Sequence, residues 1–158
     1  MRILSRLGFV SVMAVTLLVV AAPSSLGAEE HDSTEIKAHL KVLDSGPKKI
    51  DVSKYPAAEQ SDYKLFVKKC SKCHTIARPI NSDFVLPSQW ERYIKRMMYK
   101  PNSGLNDKDA KAIYTFLVYD ASVRKTAMLK EQLGKLSTED RAAAIGKIKG
   151  INPAYVAP

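Results

Sequence analysis

Residues 70–74 read Cys-Ser-Lys-Cys-His, and this C-x-x-C-H run constrains the chain more than any other feature. Thiols at i and i+3 lie close to one helical turn apart, on one side of a helix end. That spacing lets both thiols add across the two vinyl groups of a single porphyrin. The histidine directly after the second cysteine is then placed under the iron as its proximal ligand. Cys70 and Cys73 are the only cysteines in the chain, so none is left for another task. The motif predicts one covalent haem c, with thioethers at Cys70 and Cys73 and iron ligation by His74.

Three other chemistries use similar residues and explain less. A thioredoxin-type dithiol expects a βαβ setting, and no alternating strand pattern surrounds this motif. A structural zinc site needs four protein ligands, more than one cysteine pair and one histidine supply. A plain disulfide suits an exported protein but gives the adjoining histidine no role.

The N-terminus is consistent with assembly after export. Arg2 and Arg6 precede an apolar run over residues 7–22, which Pro23, Ser24 and Ser25 interrupt before the small residues Gly27 and Ala28. This is the layout of a secretory signal peptide spanning residues 1–28, and it predicts a periplasmic or otherwise exported protein. The run is short against the ~20 residues of a spanning helix, which makes an uncleaved anchor the lesser reading. Removing the segment takes away only Arg2 and Arg6 and leaves +7 of the formal +9 charge. Such a surface suits an acidic protein partner or anionic lipid. No nucleic-acid-binding motif accompanies the charge, and export argues against nucleic acid.

Organisation follows from periodicity and stop signals. Residues 29–57 form a polar N-terminal extension in which Ile36, Leu40 and Leu43 recur at helical spacing. Residues 58–122 form the haem domain, with three helices. The first covers about 58–70 and carries Tyr63, Phe66, Val67 and Cys70 on one face. The second is expected to start with Ser88 as N-cap and Glu91 as its capping-box partner, and Pro101 with Gly104 stops it. The third starts with Asn106 as N-cap and runs to about residue 122, with Ala110, Ile113, Tyr114, Leu117 and Ala121 as its stripe. Residues 78–87 lack periodicity and are expected to be loop. Residues 123–158 form a C-terminal helical extension, with Ser137 capping its second segment. No strand emerges, so the predicted class is all-α.

The second axial ligand decides the chemistry, because methionine there raises the potential whereas an open position admits small molecules. Candidates are Met97, Met98 and Met128 downstream, with His31 and His39 in the extension. Met97 lies nearly two turns after Trp90, so Trp90, Ile94 and Met97 share a face, and Met98 is rotated about 100° from it. Met97 is therefore the expected distal ligand, with Met98 as the alternative. A carbonyl of Pro79 or Pro87 is expected to accept from His74 Nδ1 and fix the ring.

With these residues assembled, residues 58–122 resemble the small bacterial monohaem cytochromes c of class I type. The shared features are a first helix ending in C-x-x-C-H with Phe66 before it, a distal methionine, and a last helix carrying Tyr114, Phe116 and Tyr119. The stretch W-E-R-Y-I-K-R-M over residues 90–97 is similar to members that present the methionine from a helix after a tryptophan. The resemblance implies three main helices around one haem, with His74 and Met97 on its opposite faces. Ser61 and Asp62 stand where many relatives carry a small glycine at the crossing of first and last helices.

The expected function is that of an exported one-electron carrier between redox proteins rather than an enzyme. Lys68, Lys69 and Lys72 flank the cysteines and are expected to steer docking onto an acidic partner face. Two alternatives remain at this stage. One is a haem c subunit of a membrane or surface redox complex. The other is a five-coordinate haem that senses gas or handles peroxide, for which Arg78, Arg92 and Arg96 are available.

Overall fold

The computed structural model describes residues 26–158, with side chains from residue 34 onward, and every regular element there is a helix. These are α1 (Leu26–Ser45), α2 (Ala57–Cys70), α3 (Ala77–Asn81), α4 (Pro87–Met98), α5 (Asp107–Arg124), α6 (Thr126–Gly134) and α7 (Thr138–Ile151). The all-α expectation holds for the described residues. The expected signal peptide lies outside them apart from positions 26–28, which begin α1. No helix among the described residues is long and apolar enough to cross a membrane.

The stripe on α5 is wider than its sequence period suggests, because α5 is the central helix. Ile113, Phe116, Leu117, Val118 and Ala121 are all buried, and α2, α4, α6 and α7 pack around them. The α2–α5 crossing is made by aromatic rings, where a glycine would otherwise allow close approach. Tyr63 and Phe66 meet Phe116 at centroid distances of 5.3 and 5.4 Å. Leu129, Leu133, Ile148 and Tyr155 join the same hydrophobic cluster as Phe66 and Trp90, so the core runs unbroken across the expected boundary at 122/123.

Side-chain caps set the starts of α5 and α7. Asn106 Oδ1 accepts from Asp109 N at 2.8 Å at the head of α5, and Ser137 Oγ accepts from Asp140 N at 3.1 Å at the head of α7. Both caps match expectation. The start of α4 does not, and the expected Ser88–Glu91 capping box is absent. The helix begins at Pro87, whose preset φ and missing N–H suit the first helical position. Gln89 reaches back instead, its Oε1 accepting from Val85 N at 2.9 Å and Leu86 N at 2.8 Å. Glu91 pairs with Lys147 at 3.3 Å. Part of the expected loop over 78–87 is also helical, since α3 is five residues long and too short to show a period.

Candidate cofactor cavity

The end of α2, the second half of α4, the middle of α5 and one face of α1 enclose a cavity of about 570 Å³. That volume falls inside the range of roughly 300–1,000 Å³ typical of small-molecule and cofactor sites. Its floor is apolar, with Ile94, Ile113 and Leu117 buried at 6%, 1% and 2% exposure. Cys70, Cys73, His74 and Met97 all line it. Four residues named from the sequence thus meet at one place.

α2 closes with Ser71 N donating to Val67 O at 3.2 Å, and the chain then turns to carry Cys73 and His74 back toward the same opening. Cys70 is half-buried and Cys73 exposed, both as free thiols. Burial, with Cys73 nearby as the lesser cause, pushes the Cys70 thiol up to about 12. Redox-active C-x-x-C pairs work through a lowered thiol pKa, so this environment opposes a dithiol of that kind.

His74 Nδ1 lies 3.0 Å from the carbonyl oxygen of Thr75. A carbonyl only accepts, so Nδ1 carries the proton and the Nε2 lone pair is left for a metal. The partner is the neighbouring residue rather than Pro79 or Pro87, because the turn after the motif folds that carbonyl back onto the ring. Pro79 is buried within α3, and Pro87 is taken up by the start of α4.

The 100° between successive helical residues separates the two methionines. Met97 faces the cavity, whereas Met98 lines a separate depression with Tyr99, Leu105 and Tyr114. Met128 is exposed on α6, and His39 is exposed on α1 away from the cavity lining. The His31 side chain lies outside the described ones. Arg78 and Arg96 line the cavity, while Arg92 is exposed elsewhere.

Trp90 does not line the cavity. It sits behind the wall at 1% exposure, edge-on to Phe84 at 5.5 Å and to Tyr93 at 5.9 Å, with Lys125 Nζ 5.7 Å from its ring centre. Tyr93 takes the place expected for it. Tyr93 precedes Met97 by four residues and so shares its face, a signal legible in the sequence but overshadowed by the neighbouring tryptophan. Its hydroxyl oxygen is buried without a hydrogen-bond partner, and burial pushes its pKa up to about 12. A buried polar atom of this kind needs a partner, and a ligand in the cavity with a polar edge supplies one.

The lysines beside the motif divide. Lys69 is committed to Asp109 at 2.5 Å and to the Gly104 carbonyl at 3.0 Å, while Lys68 and Lys72 remain exposed. Arg96 lies 5.5 Å over the Tyr93 ring.

The cavity thus offers two thiols, an imidazole with a free Nε2, a thioether, apolar walls and an unpartnered hydroxyl. This donor set fits a haem, an apolar macrocycle with polar edge groups and an iron that takes nitrogen and sulfur axial ligands. Comparison with protein-family models, curated proteins and solved structures finds no match for this chain.

Proposed function

We propose that the protein is an exported, c-type monohaem electron carrier. The observation that supports this most is the presence of Cys70, Cys73, His74 and Met97 on the wall of one apolar cavity. Cys70 and Cys73 would hold the porphyrin as thioethers, and His74 Nε2 and Met97 Sδ would hold its iron. When bound, the group supplies a one-electron couple between Fe(II) and Fe(III). The protein's part is to hold both ligands still and to keep water out.

His74 is held by its bond to Thr75, and Met97 by a helix anchored through Ile94 and Trp90 in the core. Ligands fixed in this way need little rearrangement when charge changes. Met97 in the lining favours a six-coordinate carrier over a five-coordinate sensor or peroxidase. Lys68 and Lys72, exposed beside the cysteines, suit docking onto an acidic face of a redox partner. Lys69 contributes less, because Asp109 neutralises it.

The test is expression in a host that matures c-type cytochromes. After full denaturation the polypeptide should retain one haem by mass and undergo reversible one-electron reduction. Haem that leaves on denaturation, or none, contradicts the reading. Replacing Lys68 and Lys72 by alanine should slow reduction by an acidic partner at low salt and have little effect at high salt. Equal rates at both would remove the steering role.

A further inference from the structure

One wall of the cavity comes from a part of the chain that the haem motif does not require. Ile36 and Leu40 of α1 line it, and Asp44 follows one turn further along the same face. Asp44 receives Arg78 of α3 through two hydrogen bonds, Nε to Oδ1 at 3.0 Å and Nη2 to Oδ2 at 2.5 Å. Arg78 itself lines the cavity, so this pair sits at its margin. A second tie lies beside it, where Asn81 Nδ2 donates to the carbonyls of Leu43 at 3.0 Å and Pro47 at 3.1 Å. Gly46 packs so closely on that amide that a Cβ there would clash with Asn81 Nδ2.

Attachment to the other helices is light. Among the described residues α3 is the only helix that α1 packs against. Ile36 keeps 50% of its surface exposed, and the buried core of the described chain begins only at Ile50. Residues 34–42 are exposed except for half-buried Leu40, and a lightly buried element belongs to the part of a fold that opens first.

We propose that α1 is a hinged cover over the haem cavity, latched by the Asp44–Arg78 pair, that governs access of water and small ligands to the iron. The proposal rests on the haem reading above. With α1 in place, Ile36 and Leu40 keep that side of the cavity apolar, which disfavours the more highly charged Fe(III) state. Movement about residues 46–47 would open to solvent the part of the cavity wall that Ile36 and Leu40 form.

The experiment measures imidazole binding to the matured, oxidised holoprotein by stopped flow, with the reduction potential of each variant. Asp44→Ala removes the latch and should speed imidazole binding roughly two- to fivefold, as expected for loss of a partly exposed ion pair. Ile36→Asp with Leu40→Asp should speed it about tenfold, as expected for lost apolar burial. Both should shift the potential negative. Wild-type rates and potential in both variants would overturn the proposal. A measurement on the unaltered protein guards against misfolded variants: amides of residues 36–46 should exchange hydrogen faster than those of α5, and faster still at saturating imidazole. Protection equal to that of α5 in both conditions would also overturn it. Failure to form a covalent holoprotein overturns the haem reading and the cover together, whereas a His/Met-ligated holoprotein with unchanged imidazole kinetics overturns the cover alone.

Discussion

The α2–α5 crossing and the cavity beside it share two helices, yet one closes on side chains and the other keeps about 570 Å³. At the crossing, Tyr63, Phe66 and Phe116 interlock within 5.3–6.3 Å. One or two turns further along, the inward residues are smaller, and polar ties fix the neighbouring segments to one another. Gln89 secures the head of α4 and donates to Gln132 of α6 at 2.8 Å. Lys125 donates to the Ser82 carbonyl at 2.6 Å. These ties frame the start of α4, whose second half forms one wall of the cavity. Stability is expected to reside mainly in the first region, and the proposed haem chemistry in the second.

That division can be broken by substitution. Phe116→Ala should lower unfolding free energy by about 3–5 kcal/mol, the range for removing a large buried aromatic. The haem spectrum should survive it, since Phe116 does not line the cavity. Denaturant melts monitored beside the visible spectrum would check both halves of the claim. A loss of the spectrum without a loss of stability would reverse the assignment.

Gln89→Ala tests the frame. It leaves the N–H groups of Val85 and Leu86 without their acceptor and should cost about 1–2 kcal/mol. Denaturant midpoints with and without bound haem should show the larger loss in the haem-free chain, if the frame keeps the cavity open. Equal losses would detach Gln89 from the cavity.

The smallest effect concerns pH and belongs to the packed region. Glu59 is buried at the head of α2 with one carboxylate oxygen unpartnered, and it does not line the cavity. Burial, with Asp62 adding to it, raises its pKa from 4.5 to about 7. The folded state then keeps a proton that the unfolded chain releases. Stability from this group is complete below about pH 4.5 and is lost as pH rises through 7. Glu59→Gln should flatten the stability profile across that window. A profile in the variant that still falls over the same window would assign the slope to another group.

Legibility in the sequence followed the same division. The starts of α5 and α7 were readable because Asn106 and Ser137 are local caps whose partners lie three residues away. The start of α4 was misread because Pro87 and Gln89 outweigh a Ser88–Glu91 pair that looks equally good on paper. That Cys70, Cys73, His74 and Met97 would come to one place was legible from spacing, since 100° of helix rotation separates Met97 from Met98. Tyr93 had the same signal and was passed over for Trp90. The position of α1 had no local signal, because it depends on Arg78 meeting Asp44 across 34 residues. Pairings at that range come from tertiary packing, which no periodicity encodes.

The most direct test is the red absorption of the oxidised, matured protein, where methionine–iron ligation gives a weak charge-transfer band. The band should be present in the wild type and in Met98→Ala and absent in Met97→Ala. Its absence from the wild type, its loss in Met98→Ala, or a high-spin spectrum would contradict the cavity as a His74/Met97 haem site.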